Sequence, residues 1–282
     1  MHELSGIGQL RAWRRARQDE GRRVGFVPTM GALHEGHLTL VDAARRVSDA
    51  VVMSIFVNPL QFGAGEDLAR YPRNLDRDRA LVRERGVDLL FVPETAVMYP
   101  PGADTRVVPG DAAGLWEGAA RPGHFTGVLT VVAKLFHLVE PDVACFGQKD
   151  IQQFTLIRRM VRDLDWNIRL ERVPIAREPD GLAMSSRNVY LSPEDRREAT
   201  GIHAALRATE RAWAAGERHT GRLAAVAQGE LELHRRLSAE YIAIMDPEEL
   251  LPVAEAVPGT IVAIAARIGG TRLIDNVILG EG

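Results

Sequence analysis

Two histidines, one glutamate and two glycines fall within the ten residues of PTMGALHEGH, Pro28 to His37. Imidazoles at this density can ligate zinc, donate hydrogen bonds to phosphate, or flank a turn. A metalloprotease helix needs HExxH, which sets two histidines at i and i+4 on one face. Here His34 and His37 stand at i and i+3 with Gly36 between them, so the spacing disfavours zinc. Gly31 and Gly36 would let a ligand approach the main chain, and a helix start offers free N–H groups to phosphate. The stretch is neither a Walker loop nor GxGxxG, so a nucleotide loop and a plain turn both stay open.

Four other clusters carry comparable chemistry. In Gly147-Gln148-Lys149-Asp150, Lys149 could neutralise a phosphate, although a solvated turn lysine is the commoner case. In Met184-Ser185-Ser186-Arg187-Asn188, two hydroxyls and a guanidinium could clamp outer phosphates, or the segment could cap the next helix. Asn58 and Gln61 of NPLQF offer amides suited to a hydroxylated carboxylate, against the bland reading of an Asn-Pro turn. His124 of RPGHF has the same two readings.

The elements that must position these residues alternate. Val24, Phe26 and Val27 predict a strand, and Leu40, Val41, Ala44 and Val47 a helix. AVVMSIFV (50–57) is a near-continuous apolar run, as a parallel strand covered on both faces requires. A helix over Asn74 to Arg85, a strand in VDLLFVP, a helix ended by Pro141, a strand in DVACF, a helix over Ile151 to Leu164 and a strand in NIRLERVPI follow. This pattern predicts an α/β fold with a Rossmann-like, doubly wound parallel sheet, whose ligands bind at the carboxyl ends of the strands. After Ile175 comes a turn-forming segment and a helix start at Ser192-Pro193. Alanine- and arginine-rich helices then run to about Leu237, and three strand-like runs close the chain. The expected division is 1–175 and a smaller α+β domain, 176–282.

Composition sets bounds. With 282 residues, 46% hydrophobic and 26% charged, the chain is expected to bury a large core. A net charge of -3 gives no reason to expect nucleic acid or an acidic membrane as partner. One cysteine, Cys145, allows no intrachain disulfide and no cysteine-based metal cluster. The first residues lack the apolar core of a signal peptide, and no segment offers the roughly 18 apolar residues of a membrane span, so a cytoplasmic location is expected.

Taken together, PTMGALHEGH, NPLQFG, YPR, RPGHF, FGQKD, QQ and DGLAMSSRN resemble, in order and approximate spacing, the pantothenate synthetase (pantoate-beta-alanine ligase) family over nearly the whole chain. The HxGH element is shared with a wider nucleotidyl-transferring group, and MSSRN looks like a counterpart of its KMSKS loop. The resemblance implies ATP-dependent joining of pantoate and beta-alanine through a pantoyl adenylate, with release of AMP and pyrophosphate. It implies His34, His37 and Lys149 as catalytic, with the imidazoles donating to phosphates whose charge raises their pKa. It implies Met30, Gly31, Gly36, Gly147, Asp150, Ala176, Met184, Ser185, Ser186 and Arg187 around the nucleotide. Gln61, Gln153, Asn58 and His124 are expected at the pantoate and beta-alanine sites. Mg2+ should accompany ATP, with Asp78 as a candidate contact, and a homodimer is implied. Arg77 interrupts Asp76-Arg77-Asp78 where relatives are often more acidic, Ile151 replaces an aromatic residue of some relatives, and Glu35 has no assigned role. The alternatives are a nucleotidyltransferase with a phosphorylated acceptor, a nucleotide-binding regulator without turnover, and, weakest, a metalloprotease.

Overall fold

Strands that are apolar on both faces can only lie in the middle of a covered sheet. The computed structural model, which describes residues 1–281, places them there. Its larger sheet runs across in the order β1 (His2–Leu4), β4 (Leu89–Phe91), β3 (Ala50–Ile55), β2 (Val24–Thr29), β5 (Val143–Gly147) and β6 (Arg169–Val173). All neighbouring pairs are parallel. On one face Phe26, Val52, Phe91 and Phe146 pack with α1 (Ile7–Asp19), α6 (His124–Val139) and α7 (Ile151–Asp163). On the other, Val27, Val51, Met53, Leu90 and Cys145 pack with α2 (Glu35–Val47) and α3 (Leu75–Glu84). Alternate residues of each strand thus feed two separate cores, which is the doubly wound arrangement.

From β2 the chain winds outward through β3 to β4, then returns to lay β5 against the other side of β2. The loops after β2 and β5 therefore diverge around a crevice at the carboxyl edge, where a sheet of this kind takes its ligand. The expected strands and helices occur within a few residues of their predicted bounds. The edge strand β1 and helix α1 had no prediction: three residues of HEL hold one aliphatic side chain, and α1 is mostly charged and polar outside Leu10, with Arg14 buried through its bonds to Glu140 and Asp142.

Beyond β6 the chain turns back on itself. Arg177 bridges Ala183, with Gly181 at φ 94° in the bend, so that Met184 returns beside Ala176. The Ser192 side chain accepts from the Asp195 N–H and Pro193 occupies the first turn of the next helix, as the sequence predicts. Short helices α4 (Thr95–Met98), α5 (Glu117–Ala120) and α8 (Pro193–Glu198) accompany the longer α9 (Gly201–Ala214) and α10 (Thr220–Leu231). The last helix stops at Leu231 rather than near Leu237. An antiparallel sheet follows, β7 (Ser238–Met245), β8 (Ile261–Ile268) and β9 (Thr271–Ile278). Its Val262, Ile264 and Val277 face α9 and α10, while Met245, Ala263 and Ile278 join the core that holds α6 and α7. Apolar packing therefore runs across residue 175.

Candidate functional site

The loop after β2 is held in an unfavourable shape. Gly31 has φ 84° and Ala32 φ 52°, the left-handed region that costs an alanine about 1 kcal/mol. Asp78, in the first turn of α3 and 1% exposed, offsets this: its two carboxylate oxygens accept from the Ala32 and Leu33 N–H groups, both at 2.9 Å. Those two donors, which the sequence leaves available for phosphate, are spent on a carboxylate. Asp78 does not line the cavity described below, so its expected role as a metal contact gives way to that of a loop clamp. Gly31 is likewise buried, and a Cβ there would come within 3.0 Å of Ile55 and 3.1 Å of Asp78.

With the loop so fixed, His34 caps α2 and His37 sits one turn in. Their rings lie 4.1 Å apart between centroids. His37 Nδ1 accepts from the His34 N–H at 3.4 Å, which leaves the ring proton on Nε2. Burial, then His34 and Lys149, push His37 down to about 3. Burial, then Lys149, push His34 down to about 4, with Asp150 and Glu178 opposing. Both rings are therefore neutral at pH 7 in the ligand-free protein, as N–H donors rather than as the cations a phosphate would favour. Glu35 points elsewhere, pairing with Arg85 at the surface.

The loop after β5 brings Lys149 and Asp150 to the same crevice, with Nζ 3.6 Å from the carboxylate. Asn276 of β9, 1% exposed, fixes that loop by donating to the Gln148 and Lys149 carbonyls, both at 3.0 Å. Facing it is the Met184 to Asn188 segment. There Arg187 is held by Asp67 through Nε and Nη2, each at 3.1 Å, and the Tyr190 hydroxyl donates to the Arg70 carbonyl at 3.0 Å.

Asn58 follows β3 and is 1% exposed. It donates to the Gln61 side-chain oxygen at 3.1 Å and to the Gly127 carbonyl at 3.0 Å, and accepts from Tyr99 at 2.9 Å. It therefore orients Gln61 from behind instead of meeting a ligand. The approach needs a glycine in α6, since a Cβ on Gly127 would come within 2.2 Å of the Leu60 carbonyl. Gln61 also reaches the Met30 sulfur at 3.0 Å. His124 lines the crevice, but both its nitrogens are engaged: Nδ1–H donates to the Gln61 carbonyl at 2.8 Å, and Nε2 accepts from Arg121 at 3.1 Å. This moves His124 from substrate contact to support for Gln61.

These loops enclose one cavity of about 230 Å³. Met30, His34, Gly36, His37, Gln61, His124, Gly147, Lys149, Asp150, Gln153, Ala176, Met184, Ser185, Ser186 and Arg187 line it; Gly31, Asn58 and Asp78 do not. Sequence reasoning missed Arg121, Tyr71 and Asp67. Arg121 sits in the RPGHF motif with the histidine that drew attention and Tyr71 opens the YPR motif, whereas Asp67 carries no local signal. Among the described residues, no group of three or more His, Cys, Asp or Glu side chains is placed to hold a metal ion, and no helix is long and apolar enough to cross a membrane.

Comparison with known proteins gives a consistent result. Residues 3–278 match the family described as pantoate-beta-alanine ligase. The chain is 55% identical to the pantothenate synthetase of Acidobacterium capsulatum over 261 residues, covering 92% of this chain and 87% of that one. It is 53% identical to that of Thermus thermophilus over 280 residues, 98% of each. A crystal structure of pantothenate synthetase from Thermus thermophilus superposes with a TM-score of 0.93 at 50% identity, covering 99% of both chains. A pantoate-beta-alanine ligase from Francisella tularensis, complexed with beta-gamma ATP and beta-alanine, gives 0.81 at 34% identity, covering 100% of this chain and 99% of the other.

Two outcomes follow from the loop and the buried rings. Asp78→Ala should lower unfolding free energy by roughly 2–4 kcal/mol, because two buried N–H groups lose a charged acceptor, and Asp78→Asn by less; chemical denaturation measures both. The unfolded chain protonates its histidines near 6.5 while His34 and His37 resist to about 4 and about 3. The unfolded state thus binds more protons, and ligand-free stability should fall as pH drops from 6.5 towards 4. Melting temperatures across that range should fall less steeply in His37→Gln; an equal slope would show that the ring does not contribute.

Proposed function

The chain belongs to the pantoate-beta-alanine ligase family, and from that premise we propose how its own residues carry the reaction. The protein is an ATP-dependent carbon–nitrogen ligase that joins pantoate to beta-alanine, forming pantothenate, AMP and pyrophosphate. The observation that supports the assignment of roles is convergence: the loops after β2, β3 and β5 and the Met184 to Asn188 segment put two imidazoles, an ammonium, a guanidinium and two hydroxyls around one cavity, beside two glutamine amides.

A carboxylate resists attack by an amine, so the acid is first activated. In our reading a pantoate carboxylate oxygen attacks the α-phosphorus of ATP, the bond to the bridging oxygen breaks, and pyrophosphate leaves with the electron pair. The amine of beta-alanine then attacks the acyl carbon of pantoyl adenylate, AMP departs with the acyl–oxygen pair, and the nitrogen sheds its protons to solvent. Neither step requires a protein nucleophile; catalysis comes from positioning and from stabilising phosphoryl charge. His37 and His34 donate to the phosphates from the start of α2, where the helix dipole adds to the attraction. Lys149 serves the α-phosphate. Ser185, Ser186 and the Nη1 of Arg187 serve the outer phosphates. Met30, Gly36, Gly147, Asp150, Ala176 and Met184 border the nucleotide, and Gln61 and Gln153 bind pantoate. Phosphate charge opposes the burial that depresses both imidazoles, and each ring can serve as a neutral N–H donor to it.

The donor set does not fit a protein-held cage for Mg2+, since Asp78 is spent on the loop and Asp150 adjoins Lys149. An ion brought in by the nucleotide would neutralise phosphate charge without needing a cage of protein ligands. We also assign residues 1–175 to the main ATP- and pantoate-binding domain and 176–282, whose Ala176 and Met184 to Arg187 line the same cavity, to a lid, and place the enzyme in the cytoplasm as a homodimer.

Isotope exchange between pyrophosphate and ATP tests the adenylate: exchange should require pantoate and proceed without beta-alanine, and active enzyme lacking it would rule the intermediate out. His37→Ala and Lys149→Ala should each lose roughly 100- to 10,000-fold in kcat while keeping their circular dichroism spectrum. Near wild-type turnover in either variant removes that residue's role.

A further inference from the structure

Strand β9 reaches into the N-terminal half through polar side chains. Asn276 holds the Lys149 loop, and Asp275 takes both Nη atoms of Arg177 at 2.6 and 3.0 Å. Arg272 starts a longer path. Its Nε donates to Glu240 at 2.5 Å and its Nη1 to Glu117 Oε1 at 2.6 Å. The other oxygen of Glu117 accepts from the Tyr241 hydroxyl at 3.2 Å, and Arg121, one turn along, lies 3.9 Å from Oε1. Arg121 donates to both oxygens of Glu66, at 3.0 and 2.6 Å, to the Gln61 carbonyl at 3.3 Å and to His124 Nε2 at 3.1 Å. His124 closes the path with its own bond to the Gln61 carbonyl.

Glu117, Arg121 and Arg272 are between 10% and 15% exposed. Burying this much charge is a poor way to gain stability, because apolar residues of similar volume would avoid the desolvation cost. What charged groups supply is fixed direction: bidentate guanidinium geometry at Arg121 and a defined tautomer at His124. Both end on the main chain of Gln61, whose amide lines the cavity.

We propose that Arg272 and Glu117 are positioning residues for the acid substrate, acting through Arg121 and His124 on Gln61 so that seating of the C-terminal sheet sets pantoate binding. The proposal rests on the assignment of Gln61 to pantoate. Seating of β9 places Glu117, Glu117 orients the Arg121 guanidinium, and Arg121 with His124 holds the Gln61 carbonyl. A displacement of that carbonyl swings the side-chain amide away from a small ligand. Substitutions at Arg272 and Glu117 leave the separate Asn276 bonds to the Lys149 loop in place, and His34, His37 and Ser185 are not on this path, so nucleotide binding should be spared.

The test is steady-state kinetics on Arg272→Gln, Glu117→Gln and the double variant, with melting temperatures alongside. Each single change should raise the KM for pantoate roughly tenfold with the KM for ATP within about twofold, and the double variant should be no worse than the poorer single one. Arg272→Lys, which can still reach Glu117, should recover part of the loss. Tyr241→Phe removes only the hydroxyl bonded to Glu117 and should show the same selective rise at smaller amplitude, even should the charge variants fold poorly. Equal rises for both substrates, or a lowered melting temperature with both KM values unchanged, would make the network structural and overturn the proposal. Gln61→Ala separates the two levels: an unchanged pantoate KM there rejects the Gln61 assignment and this proposal with it. A rise there without one in Arg272→Gln rejects the relay alone.

Discussion

Two main-chain N–H groups bound to one buried carboxylate set the geometry on which the His34–His37 wall of the cavity depends. Gly31 and Ala32 turn the chain through the left-handed region as it leaves β2, a shape an isolated peptide would abandon. Asp78 holds it from α3, an element that enters the chain only after β3. The crossover from β3 to β4 thereby stabilises the turn from β2 to α2. Only with that turn fixed does His34 fall at the cap position and His37 one turn later, with both rings beside the crevice.

The topology supplies the remaining walls. Because β3 and β5 flank β2 on opposite sides, their following loops rise at the same edge, one carrying Asn58 and Gln61 and the other Lys149 and Asp150. Each is then pinned from outside itself: the Gln61 loop by His124 and Arg121, and the Lys149 loop by Asn276 of the C-terminal sheet. Arg187 is also pre-set, by Asp67. A site whose polar groups are already paired within the protein spends less entropy on ordering when the ligand arrives. Burial has a chemical effect as well. Together with Lys149 it holds both histidines well below their ordinary range, so each stands at neutral pH as an uncharged imidazole.

Much of the fold was legible because the parallel strands are covered on both faces and read as apolar runs, and because Pro141, Ser192 and Pro193 punctuate helices by local stereochemistry. Strand β1 was not, since an edge strand of three residues draws its stability from pairing with β4 and not from its own pattern. The site was legible where chemistry is concentrated in short motifs: His34, His37, Gln61, Lys149, Ser185, Ser186 and Arg187 all line the cavity. It failed where the partner is distant in sequence. Asp78 looked like an available carboxylate, and Asn58 and His124 like substrate contacts, because Ala32, Gly127 and the Gln61 carbonyl, which engage them, lie on other elements.

Sequence by itself determined the order of elements, the positions of the reactive side chains and, through the ordered motifs, the family to which they belong. Tertiary structure decided which of those side chains remain free to meet a ligand. Hydrogen-bond capacity is finite, and whether a buried carboxylate or imidazole spends it on a main-chain group depends on contacts between residues such as Ala32 and Asp78, 46 positions apart, that no local pattern encodes.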